Sequence, residues 1–369
     1  MPDVFSSITA EDVLNLVPGL GVVKSTMQFE ILDKNLNYLF NVHPISSDAV
    51  SITANTAATV KRTLSSFHLD QDEEPLIDIF SMRLRPSWVV EAPVNTVAYP
   101  LGVFIFSDAN RPRSTAGLEL KGSMYDQTVI VDQGIGASYG LPTDSLISDA
   151  LLAIAAEVGI SGNLINIDYS PARTTAAIAW RSGTSRYKIM NELAQIAGYY
   201  PAYFDNHGVL RFKTAPATLT RIIPDHVYNA GETSRMINNT IVETDDQATA
   251  PNRWLVVNSG STDVEISGYY DLPASAPASF ENRGYRIVKR VDEQGIESGD
   301  QARARAQQLA ITDFNAFGWV QFNATPDPRH DLFDTVEYLH ENYYEVGWGL
   351  KGGTGGPHTH KLRKIYTDG

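Results

Sequence analysis

Residues 59–69 read TVKRTLSSFHL, and the way this run is divided between two faces decides the fold class. In an extended chain Val60, Arg62, Leu64 and Ser66 fall on one face and Lys61, Thr63, Ser65 and Phe67 on the other. This alternation, with β-branched and aromatic members, suits a strand of a small barrel or sandwich better than a helix. Similar runs lie on either side. Upstream are MQFEIL (27–32), a turn at Asp33-Lys34-Asn35, NYLF (37–40) and VSITAN (50–55). Downstream, IDIFSMRLRP (77–86), WVVEA (88–92), GVFIFSDA (102–109) and GLELKGSMYDQTVIVD (117–132) also read as strands. The first third is predicted to be mostly β.

The pattern changes at SLISDALLAIAAEVGI (145–160), where Ile147, Ala150, Leu151, Ile154, Ala155 and Val158 recur at helical spacing and Gly159 supplies a left-handed stop. A second helix is predicted in SRYKIMNELAQIAGY (185–199), with Ile189, Met190, Leu193, Ile196 and Ala197 as its apolar stripe. Thr184 or Ser185 is its cap and Gly198 its stop. Aligned, the two helices place Ala155 on Ala194 and Gly159 on Gly198, a weak internal echo. PAYFDNHGVLRF (201–212) then reads as a hairpin turning at Asp205-Asn206-His207-Gly208.

In the last third, NRWLVVNSG (252–260), VEISGYYDL (264–272) and GYRIVKRV (284–291) read as strands. A helix follows in SGDQARARAQQLAITDF (298–314), where Ser298 and Gln301 match a capping box. Strands resume at GWVQFNATPDP (318–328), DTVEYL (334–339) and HKLRKIYTD (360–368), with KGGTGGPH (351–358) read as a mobile loop between the last two. The expected class is β-rich α+β. The expected regions are 1–125, 126–245 and 246–369, with boundaries that leave room for interleaving.

Composition narrows function. The 369 residues include no Cys, which excludes disulfides, Cys-ligated metal and thiol catalysis. A net charge of −14 argues against a phosphate-gripping surface, yet suits a wall past which DNA slides without sticking. Asp3, Glu11 and Asp12 stand where a secretory signal carries positive charge, and no apolar run is long enough to span a bilayer, so the expectation is folding in a cytoplasm.

Chemical motifs are weak. GLGVVKST (19–26) has Val23 where a phosphate loop needs Gly before Lys24, and Gly134, Gly136 and Gly140 miss the dinucleotide spacing. His358 and His360 could share a metal on a strand, but no third ligand lies nearby in sequence, so they read as exposed loop histidines. His330, Asp331 and Asp334 could form a base with carboxylate partners, but no nucleophile motif accompanies them, and turn chemistry explains the segment. Asp168 with Asp205 is a nominal glycosidase pair without a fixed separation. Tyr199, Tyr200, Tyr203 and Phe204, like Tyr343, Tyr344 and Trp348, could stack on sugars, although such clusters more often mark core or protein contact. No catalytic, cofactor-binding or metal-ligating residue is expected, and no cofactor.

Several segments, in order, resemble the tail-hub (minor tail or baseplate hub) proteins of long-tailed siphophages of Gram-positive or actinobacterial hosts. They are ATVKRTLSSFHL, LRPSWVVEA with YPLGVFIFSDANRP, LELKGSMYDQTVIVDQ, WRSGTSRYKIMNELAQIAGYYPAYFDNHGVLRF, APNRWLVV and TPDPRHDLFDTVEY, spanning about Thr26 to Tyr338. The resemblance implies a structural virion protein, not an enzyme. It implies a homotrimer at the tail tip, with two related β-barrel-like domains per chain presenting a near-sixfold ring to the tail tube or distal tail protein. Such a hub encloses the end of the tape-measure protein, carries the host-facing or receptor-binding proteins and lets DNA pass unbound. It assembles in the host cytoplasm. The rivals are a receptor- or carbohydrate-binding tail module and a cell-wall hydrolase.

Overall fold

The computed structural model describes residues 9–10, 24–44, 50–70, 76–114, 117–215, 223–229, 235–237, 240–244, 248–258, 265–293, 296, 298–313, 319–352 and 356–365. The motif reading at Gly19–Val23 and the centre of the Gly-rich loop, 353–355, lie outside these residues.

The first third contains β1 (Lys24–Leu32), β2 (Tyr38–Val42), β3 (Ser51–Asn55), β4 (Arg62–Asp70), β5 (Arg83–Glu91), β6 (Thr96–Pro100), β7 (Phe104–Asn110), β8 (Arg113–Ser114) and β9 (Gly117–Asp126). The middle contains α1 (Thr128–Val131), β10 (Tyr139–Leu141), α2 (Ile147–Ala156), β11 (Ile165–Ile167), β12 (Ile178–Trp180), α3 (Arg186–Ala197), β13 (Tyr203–Phe204) and β14 (Leu210–Phe212). The last third contains β15 (His226–Tyr228), β16 (Val242–Thr244), β17 (Arg253–Asn258), β18 (Ser267–Asp271), α4 (Phe280–Arg283), β19 (Val288–Glu293) and α5 (Gly299–Thr312). It ends with β20 (Trp319–Ala324), β21 (Thr335–Tyr338), β22 (Glu341–Lys351) and β23 (His358–Lys364). The class is β-rich α+β.

One 15-stranded sheet runs through both outer thirds in the order β16-β20-β23-β22-β3-β4-β9-β7-β5-β1-β2. The join is β22 on β3, with Gly347 opposite Asn55 and Leu350 opposite Ile52. Among the described strands this path is open, and the strands of the first and last thirds lie in one sheet. The middle third packs α2 and α3 together around its own core of Ile147, Leu151, Ile154, Ile189, Met190 and Leu193. A third layer lays α5 over the sheet β18-β17-β19, around Trp254, Val256, Ala302 and Ala306.

The opening run is a strand, but its faces differ from the simple alternation. Leu64 and Phe67 are both buried because the β4–β9 register shifts between them, and this bulge turns Phe67 to the side of Leu64. Three other sequence expectations also need correction. The segment 77–86 is not a strand until Arg83, because the Asp78 carboxylate accepts hydrogen bonds from Phe80 N and Ser81 Oγ and closes a turn. The β-branched run TVIV ends the strand as the helical turn α1, where the Asp126 carboxylate accepts from Thr128 N. Ile196 is 39% exposed and lies outside the α3 core. It lines a groove facing Ile296 and Arg305, and the inward position that the stripe gave it is taken by Ala194.

The caps and turns follow their chemistry. Ser185 Oγ accepts from Lys188 N, Gly198 ends α3 at φ 80°, and Ser298 Oγ accepts from Gln301 N. In the β13–β14 hairpin the Asp205 carboxylate accepts from His207 N and Val209 N, and Gly208 takes φ 81°. The tip of that hairpin docks between the outer thirds. Gly102 N donates to Asn206 O, Gln127 Nε2 to Gly208 O, and Asn206 Nδ2 to His330 O. A Cβ on Gly208 would lie 2.6 Å from Val103 Cγ2. Gly208→Ala therefore combines backbone strain with a clash. It should lower stability by about 2–3 kcal/mol in urea unfolding, against under ~0.5 kcal/mol for Ala substituted at a solvent-facing turn position such as His207.

Lys61 and Arg62 are both buried. Lys61 Nζ donates to Thr56 O (2.5 Å) and Ala58 O (2.6 Å). Burial pushes its ammonium down to about 8, partly opposed by the Asp126 charge. The unfolded chain then binds more protons than the folded one above pH 8, so stability should rise with pH from about 8 to 10, by on the order of 2 kcal/mol. Below pH 8 both states carry the proton and the slope vanishes. A Lys61→Met variant should lose this slope in urea midpoints measured across that range.

Candidate functional site

The most concentrated chemistry in the described residues lies behind the β22 joint. β22 brings Glu345, β23 brings His358 and His360, β15 brings His226 and Tyr228, and the loop before β21 brings Asp327, His330 and Asp334. Glu345, His330 and His360 are wholly or almost wholly buried.

Their contacts close a ring. Glu345 Oε2 meets His330 Nδ1, and Glu345 Oε1 meets His360 Nδ1 at 2.6 Å. The far nitrogens of both imidazoles converge on one phenol: Tyr228 Oη lies 2.8 Å from His330 Nε2 and 3.3 Å from His360 Nε2. Four contacts need four protons. An ionised Glu345 with two neutral histidines and Tyr228 supplies three, which leaves one lone pair facing another. A protonated Glu345 supplies the fourth. Its O–H donates to one Nδ1, that ring's Nε2–H donates to Tyr228, Tyr228 donates to the other Nε2, and the second Nδ1–H returns to the carboxyl. The ring then holds no net charge in a site that water does not reach, as the cost of an isolated buried charge demands. Burial pushes Glu345 up, against the pull of His360, and pushes His330 and His360 well below the ordinary histidine range, directions that favour the neutral ring.

Around the ring, His226 stacks on His330 with centroids 3.6 Å apart, and its Nε2 lies 3.2 Å from Asp334 Oδ2. His226 is raised above its usual value: burial opposes its charge, but the bond and charge of Asp334 outweigh burial. His358 packs on His360 with centroids 4.0 Å apart, and its Nδ1 accepts from Asp327 N. Asp327 pairs with Arg235 and Arg329, and this, with other charges nearby, keeps its carboxyl well below the usual range despite burial. Beside them Arg62 crosses from β4 to the Asp331 carboxylate, and burial lifts Asp331 to about 6 although Arg62 pulls the other way.

The sequence nominees are thereby relocated. His358 and His360 are not exposed loop residues. They are buried on β23, because the chain after the Gly-rich segment pairs with β20 and β22. The carboxylate partner of His330 is Glu345, not Asp331 or Asp334. Asp168 accepts from Thr214 N and Asp205 closes its own turn, so both serve backbone structure. Gly134 lies against Gly183 in a loop contact. The tyrosine clusters 199, 200, 203 and 343, 344, with Phe204 and Trp348, are core residues, 7% exposed or less. Sequence reasoning missed Glu345 and Tyr228. The available signal was the pair His358/His360 at strand spacing, which requires a partner on a neighbouring strand.

No family profile and no curated protein sequence matches this chain. Solved structures do. The tail protein from Neisseria meningitidis MC58 superposes with TM-score 0.59 at 13% identity over 92% of this chain and 96% of its own. The 43 kDa tail protein of prophage MuSo2 from Shewanella oneidensis does so with TM-score 0.56 at 11% identity, over 91% and 98%. Prophage tail protein gp18 from Listeria monocytogenes EGD-e gives 0.55 at 12% identity, over 93% and 95%. The chain shares the fold of these tail proteins almost end to end.

The proton count has a direct test. A Gln amide places one donor atom and one acceptor atom where a protonated carboxyl has them, so Glu345→Gln should stay within about 1 kcal/mol of the parent in urea unfolding. Glu345→Ala orphans two buried imidazole nitrogens and should cost about 2–4 kcal/mol.

Proposed function

We propose that this chain is a structural protein of a phage-type tail: a homotrimeric hub at the tail tip. It joins the tail tube and distal tail ring to the host-facing tip and encloses the end of the tape-measure protein. The observation that carries this reading is the end-to-end fold correspondence with three tail proteins, in which neither partner has a large unmatched domain. The role is assembly and passage, not bond chemistry.

The sheet supports ring formation. Its path ends at β16 and at β2, and neither strand has a second partner among the described strands. Both ends are apolar at the surface, with Tyr38 and Leu39 exposed on β2 and Ile241 and Val242 exposed at β16. An open edge with apolar side chains is a template for pairing, and two different edges on one chain make a head-to-tail contact that closes when the rotation fits three copies. Two barrel-like halves per chain, contributed by three chains, would then present a near-sixfold ring. Among the described residues no helix is long and apolar enough to cross a membrane.

Mass photometry should find a species of three times the 40.5 kDa chain, and Leu39→Lys with Val242→Lys should shift it to the monomer without changing the circular dichroism spectrum. Labelling of purified particles should place the chain at the tail tip. Its absence from tail tips would end this reading.

A further inference from the structure

We propose that His330, His360 and Glu345 form a binding site for one divalent transition-metal ion, zinc by the chemistry of its donors. This departs from the sequence expectation of no metal and is independent of the tail assignment. Three observations carry it. Of the eight histidines in the chain, four (His226, His330, His358 and His360) gather in one cluster at the joint between the outer thirds of the sheet. Two imidazole nitrogens and a carboxylate, from β23, β22 and the loop before β21, lie within 4.8 Å of one another, and all three residues are buried. Both ligating rings have the opposite nitrogen on Tyr228, which fixes the orientation of the rings as an outer partner does in metal sites.

The fit is chemical as well as spatial. Two imidazoles and one carboxylate match the ligand set of zinc, with a bidentate carboxylate completing four donors, and they match calcium or magnesium poorly. Zinc–ligand bonds of about 2.0–2.2 Å require the donors to move apart by roughly 0.8 Å from their hydrogen-bonded separations. Proton balance is simple. The cation replaces the two protons between the carboxyl and the Nδ1 atoms: one is released, the other moves to the Nε2 that had accepted from Tyr228, and both Nε2–H groups then donate to the two lone pairs of Tyr228 Oη. The net charge rises by one, and Asp334 lies on the outer side of the cluster against His226. His226, stacked face to face on His330, cannot direct its in-plane lone pair at the same ion and stays in the outer layer.

The site is closed to solvent, so the ion must enter as the chain folds. The untagged full-length protein should be unfolded in denaturant with EDTA, then refolded with zinc chloride or with chelator alone. Zinc-refolded protein should retain about one equivalent by elemental analysis after desalting and melt at least 5 °C higher than chelator-refolded protein. Glu345→Gln, whose amide preserves the ring but is a poor ligand, should fold yet retain less than a tenth of an equivalent and lose the shift. Tyr228→Phe keeps every metal donor and should retain the ion. Wild-type protein that refolds with neither retained metal nor a shift, with zinc or with cobalt, would overturn the proposal, as would retention by Glu345→Gln equal to that of the parent.

Discussion

Strand β22 is hydrogen-bonded along both long sides, to β3 from the first third and to β21 and β23 from the last, and the molecule depends on that double pairing. Its two faces serve different interiors. Tyr344, Val346, Trp348 and Leu350 enter the large core formed with β1, β4, β5 and β9, while Tyr343 and Glu345 face the smaller interior of the last third. Gly347 occupies the point of closest approach, where a Cβ would stand 2.9 Å from the carbonyl of Ala54, beside the register shift in its pairing with β23. A side chain there would push the two thirds apart.

The middle third is held to this sheet by polar contacts at a hairpin tip and by Tyr200 and Tyr203, which enter the large core. Asn206 bonds the backbone on both sides of the joint, and Tyr200 stacks on Phe333 with centroids 4.8 Å apart. Buried polar contacts of this kind add little net stability over apolar packing, but they penalise every misaligned arrangement because each leaves a charge or amide orphaned. The middle third thus sits in one place relative to the sheet.

The histidine cluster belongs to the same joint. Its members come from β15, β22, β23 and the loop before β21, so it exists only when the last third has folded against itself and β22 has taken its central place. Whether filled by protons or by a cation, it is a network of directional bonds at the point where the two ends of the chain share a sheet.

The sequence by itself determined the local elements that carry their own signal. The helices α2, α3 and α5 were legible from one-sided apolar periodicity and from caps at Ser185 and Ser298, and the hairpin from Asp205 and Gly208. The β class was legible from runs such as 59–69. These features rest on interactions within a few residues or on a face that meets water, and both leave a periodic trace. Tertiary structure alone decided β22, because a strand buried on both faces shows no polar alternation. It also decided the bulge that turns Phe67 inward, the place of Ile196 beside α5, and the burial of His358 and His360. Glu345 was invisible for the same reason: its meaning lies in His330 and His360, each 15 residues away and brought to it only by a neighbouring strand and loop.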